Sequence, residues 1–102
     1  MIQLTKDDID SEIKSNKNLV IDFGAEWCLA CVELEKAIEK IKSEFSNVKF
    51  TSVDASKYTE LSRRYNVKMH PTTLIFKDGK EVKRFEGFNN IDDLRMKIRN
   101  CI

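Results

Sequence analysis

Val20-Ile21-Asp22-Phe23-Gly24-Ala25-Glu26-Trp27-Cys28-Leu29-Ala30-Cys31 carries an apolar run of strand length straight into a cysteine pair. The run from Leu19 to Phe23 is continuous, the pattern of a strand covered on both faces. From Cys28 onward the period changes. Cys31, Leu34, Ile38, Ile41 and Phe45 recur at three- and four-residue steps with Glu and Lys on the opposite side, which predicts a helix over residues 28–45. The cysteines therefore stand where a buried strand hands over to a helix. A separation of three residues puts both sulfurs on one side of the first turn, close enough to be joined. Unpaired N–H groups and the dipole at a helix start stabilise an anion, which favours Cys28 as the thiolate nucleophile. Cys31 falls on the apolar stripe and is expected to be a shielded, protonated resolving thiol.

Outward from this centre the elements alternate. Ile2 to Leu4 reads as a short strand, and Thr5, with Asp8 three residues on, reads as a helix cap leading to about Lys14. Downstream come a strand over Val48–Val53, a helix near Tyr58–Tyr65, and a β-branched and aromatic strand over Thr72–Phe76 after Pro71. Asp78-Gly79 is a two-residue hairpin turn, returning through Glu81 to Phe85. Asn90 opens a last helix whose apolar positions are Ile91, Leu94 and Ile98. The order is βαβαβαββα, an α/β class in which parallel crossovers and a closing hairpin make a mixed central sheet with helices on both faces. Residues 1–102 are expected to form a single domain.

Composition excludes several functions. Eighteen basic residues meet 17 acidic ones, for a net charge of +1, and no basic block is longer than the Arg63-Arg64 pair, so neither nucleic acid nor an anionic membrane is an expected partner. No apolar run approaches the roughly 20 residues of a membrane helix. The first residues lack a basic region followed by an apolar stretch, which predicts a cytoplasmic protein, or a periplasmic one if the chain is a fragment that has lost its signal. Three cysteines are too few and too unevenly spaced for a disulfide framework.

A CxxC pair by itself fits half of a zinc site as well as a redox couple. A structural zinc site needs a second Cys/His pair at ligand spacing, and only His70 and Cys101 remain, far apart in sequence. The strand-to-helix setting favours the redox reading. Asp22 sits inside the apolar strand, where an unpaired carboxylate is costly and its pKa rises; an exposed strand-edge aspartate is the bland alternative. Trp27 has two compatible readings, a flank to the cysteine pair and a core filler. His70 either faces Cys28, where its titration would bear on the thiolate, or is an idle surface residue. Cys101 reads most simply as a spare thiol.

Val20 to Cys31, together with Met69-His70-Pro71-Thr72-Thr73-Leu74-Ile75-Phe76-Lys77-Asp78-Gly79, resembles the active-site stretch and the cis-proline hairpin of thioredoxins, in the family's order and spacing. The resemblance implies the thioredoxin fold and a thiol-disulfide oxidoreductase that reduces protein disulfides through Cys28 and Cys31. It implies that Pro71 is cis and faces the cysteines, that the backbone beside it pairs with substrate, and that Asp22 accepts the proton of the resolving thiol. Trp27, Leu29, Ala30, His70 and Pro71 would form the substrate-binding surface. No metal or organic cofactor is called for, because the cysteines store the two electrons. The implied partners are disulfide-containing proteins and a reductase or membrane electron donor, and the chain is expected to be a monomer. A scaffold using the same fold only for binding would have no need of both sulfurs.

The chain departs from the family pattern at several positions. Leu29-Ala30 replaces the usual Gly-Pro, Lys36 stands where the long helix usually has a kinking proline, and Phe50 replaces a lysine often placed near the buried aspartate. The linker residues help to set redox poise, so the potential is not transferable. Glu33 and Glu35 are expected to oppose thiolate formation at Cys28. Trp27 to Lys36 is also similar to the thioredoxin-like C-terminal domain of the thiol-disulfide interchange protein DsbD, which bears on the choice of partner.

Overall fold

The structure is a computed structural model that describes residues 1–102. Its elements are β1 (Ile2–Gln3), α1 (Ile9–Ser15), β2 (Asn18–Gly24), α2 (Leu29–Ile41), β3 (Lys49–Asp54), α3 (Thr59–Arg64), β4 (Thr72–Lys77), β5 (Lys80–Glu86) and α4 (Ile91–Arg99). The order is the expected βαβαβαββα. The strands make one five-stranded sheet in the order β1-β3-β2-β4-β5. β1 and β2 each pair parallel with β3, whereas β4 pairs antiparallel with both β2 and β5.

β2 lies at the centre because every one of its seven residues is buried. Its side chains alternate between two cores, as the pleat requires. Leu19, Ile21 and Phe23 point into a cluster with Ile9, Ile13, Leu61, Leu74 and Phe76, beneath α1 and α3. Val20 points the other way, into a cluster with Leu34, Ile38, Ile41, Ile75, Leu94 and Ile98, beneath α2 and α4. Each such buried apolar side chain contributes about 1.5–3 kcal/mol relative to exposure. Helices therefore cover both faces, as apolar residues at successive positions of the strand required. Asp22 shares the pleat face of Val20 and is the one charged residue fully inside the sheet.

Two element boundaries differ from the sequence reading. The first helix begins at Ile9, after a turn that uses up the capping groups. The Thr5 N–H and hydroxyl both donate to Asp8 Oδ2, the Asp7 N–H donates to Thr5 Oγ1, and Ile9 N–H still reaches the Thr5 carbonyl. The long helix ends at Ile41 and tightens into a 3₁₀ turn over Lys42–Glu44, which leaves Phe45 buried beside Phe50 at 6.4 Å between rings. At the hairpin, Asp78 and Gly79 have φ of 51° and 82°, the pair of positive values that a two-residue turn matching strand twist demands. β5 is the exposed edge, and its Lys80, Glu81, Lys83, Arg84 and Glu86 discourage pairing with another chain. Asn90 caps α4 by accepting the Asp93 N–H at 2.9 Å.

Candidate active site

Cys28 is the N-cap of α2, with extended φ and ψ of −108° and 108°, so its side chain lies across the open end of the helix. The Cys31 N–H donates to Cys28 Sγ at 3.2 Å. The two cysteines are joined as a disulfide, with Cα atoms 5.2 Å apart. Cys28 is half-buried and Cys31 is 3% exposed, the asymmetry expected from the apolar stripe. A thiolate on Cys28 would take charge-assisted donation from the first turn of α2.

Asp22 lies beneath this pair. It is 0% exposed, and neither carboxylate oxygen has a hydrogen-bond partner. Burial, and secondly the negative charge of Glu35, push its pKa up to about 7. The exposed strand-edge reading is therefore overturned, since β2 has neighbours on both sides. Gly24 connects the two groups: a Cβ placed there would stand 3.6 Å from Cys31 Sγ and 3.9 Å from Asp22 Oδ1. Ser52 and Thr73 flank Asp22 across the sheet, paired with it in register on β3 and β4. Phe50 pairs with Val20 instead, one step along the same face, so this position brings no cation toward Asp22.

A cavity of about 260 Å³ opens beside the disulfide, lined among others by Gln3, Gly24, Cys31, Glu35 and Ser52. Glu35 thus bears on the buried acid, whereas the sequence reading gave its charge to Cys28. That effect depends on α2 lying over β2, and helical spacing alone did not reveal it.

Trp27 is 99% exposed, so its reading as a core filler is overturned. Its φ of 64° turns the chain sharply between β2 and α2 and carries the indole outward. Leu29, Val32 and Met69 are also exposed apolar side chains, the first two in the opening turns of α2 and the third just before the His70–Pro71 bond. Val32 and Met69 were not singled out from sequence, although Val32 stands off the apolar stripe of α2. Ala30 is half-buried.

The His70–Pro71 peptide bond is cis. The register Phe23↔Thr72 brings Pro71 to the end of β2 that leads to the cysteines. Pro71 itself is buried and its carbonyl accepts the Gly87 N–H at 2.8 Å, so the surface there is offered by Met69 and His70. The His70 backbone N–H and C=O make no hydrogen bond within the chain. The His70 imidazole is exposed and makes none either. Cys101 is free and packs against the α2–α4 core. No three His, Cys, Asp or Glu side chains converge as metal ligands, and no helix is long and apolar enough to cross a membrane.

The family model described as Thioredoxin matches residues 1–100. A thioredoxin of Chlamydia trachomatis is 33% identical over 94 residues, which cover 92% of each chain. Thioredoxin H2 of Arabidopsis thaliana is 38% identical over 89 residues, covering 86% of this chain and 66% of its own. The chain spans only about half the length of some other plant and fungal thioredoxins that it matches. Among solved structures, a thioredoxin of Plasmodium falciparum superposes over 100% of both chains, with a TM-score of 0.92 at 26% identity.

Proposed function

The chain belongs to the thioredoxin family, and from that membership we propose that it is a dithiol carrier that reduces disulfide bonds in other proteins. The observation that carries the reading is the Cys28–Cys31 disulfide at the start of α2, with one sulfur accessible and the other buried above a partnerless carboxyl. In the reduced protein the Cys28 thiolate attacks a substrate disulfide, forming a mixed disulfide and releasing one substrate thiolate. Cys31 then gives its proton to the Asp22 carboxylate and attacks Cys28 Sγ. The Cys28–Cys31 bond forms, the mixed disulfide breaks, and the second substrate thiolate leaves. Two electrons have passed to the substrate.

Asp22 suits the proton step because its affinity for a proton is raised toward that of a thiol by burial. Trp27, Leu29, Ala30 and His70 form the docking surface, and the unpaired His70 backbone groups hold substrate as an added strand beside Pro71. A reductase or membrane donor restores the dithiol, and the carrier works as a monomer in the reducing cytoplasm. Insulin reduction with dithiothreitol as electron source tests the scheme. Cys28→Ser abolishes turnover and Cys31→Ser accumulates mixed disulfides that are visible by mass. Normal turnover in either variant refutes it.

A further inference from the structure

Thr73 carries a hydroxyl that the fold does not use. The residue is fully buried, and its Oγ1 has no hydrogen-bond partner. The two other buried threonines spend theirs on backbone carbonyls: Thr51 donates to Val20 at 2.9 Å and Thr72 to Met69 at 2.7 Å. An unpaired buried hydroxyl is unfavourable against a methyl group of the same shape, so valine would serve the core better.

What Thr73 does have is a neighbour in the same condition. The β2–β4 register sets it directly opposite Asp22, whose two oxygens are likewise unpartnered. Side chains directly opposite in an antiparallel pair have Cβ atoms about 4.5–5.5 Å apart. One step of the threonine χ1 between staggered positions brings a hydroxyl across such a gap. Other groups around Asp22 offer little. From α2 come Cys31 and Glu35, from β3 Ser52 and Phe50, and Glu26 and Asp54 line the adjoining cavity. None of these is a cation. Ser52 lines the cavity and has solvent to bond with.

We propose that Thr73 is a positioning residue for the buried acid: its hydroxyl turns to donate to the Asp22 carboxylate when that group ionises, and holds it ready for the proton of Cys31. The inference rests on the dithiol-exchange reading and deepens it.

The test is the titration of the Asp22 carboxyl carbon by ¹³C NMR in the oxidised protein, where neither Cys28 nor Cys31 titrates. The readout needs no turnover, so its failure is distinct from failure of the exchange mechanism, which the Cys28→Ser assay reports. Thr73→Val keeps the shape, removes the hydroxyl, and should move the Asp22 midpoint up by about one pH unit. Thr73→Ser restores a donor and should titrate close to the native protein. An unchanged midpoint in Thr73→Val overturns the proposal, as does a downward shift, which would mean that the hydroxyl serves the protonated acid. Should Thr73→Val fail to fold, Thr73→Ala carries the same expectation and the same refutation.

Discussion

Replacing Asp22 with asparagine should remove a loss of stability worth about 3 kcal/mol between pH 5 and pH 8.5. The magnitude follows from burial. Asp22 is 0% exposed and unpartnered, and its pKa stands at about 7 instead of 3.8. A folded value above the unfolded one means that the native chain keeps a proton that the unfolded chain has released. Stability is therefore full below the ordinary carboxyl range, falls as pH rises, and reaches its floor once pH has passed about 7. Three units at 1.36 kcal/mol each make a total of about 4 kcal/mol, of which the part between about pH 4 and pH 5 is lost before the measurement begins. Urea unfolding of the oxidised protein and of Asp22→Asn, each at pH 5 and pH 8.5, measures the difference. Other titrating groups are common to both proteins and cancel. With a slope of ~1.5 kcal/mol/M, the gap between the two unfolding midpoints should change by about 2 M across that range, in favour of the variant. Parallel stability curves from pH 5 to pH 8.5 would show that Asp22 is solvated or paired in solution, and the reasoning would fall.

Two further outcomes test the surroundings. Glu35→Gln removes the negative charge that acts on Asp22 and should lower its carbon titration midpoint, by less than about one unit because burial is the larger cause; an unmoved midpoint means that solvent screens Glu35 completely. Trp27→Ala should change unfolding stability by no more than about 0.5 kcal/mol, since the side chain is 99% exposed. Its KM for a protein disulfide should rise about 5-fold, with a smaller change for a small-molecule disulfide. Equal losses on both substrates would remove Trp27 from the docking surface.

The strands and helices were legible because their signals are local. The centre of β2, Leu19 to Phe23, appears as an apolar run of strand length broken only by Asp22, and α2 appears as a stripe at helical spacing. Boundaries were less legible where hydrogen bonds compete. Thr5 and Asp8 bond each other in a turn ahead of α1, so the capping pattern marks a start three residues earlier than the regular helix. Trp27 misled for a related reason. Its size suggests core, yet the direction of its side chain is set by a positive φ that hydrophobicity does not encode.

The cysteine pair divides along the same line. Its spacing, its place at the start of a helix and the apolar position of Cys31 are properties of one continuous segment, and sequence alone determined them. The state of Asp22 was decided by the tertiary structure. Thr73 arrives from β4, Ser52 from β3 and Glu35 from α2, and these meet only because β2 is sandwiched between two strands and covered by a helix. A carboxyl's proton affinity depends on the solvent it has lost and the charges brought near it. Both are set by distances through space that a linear pattern does not contain.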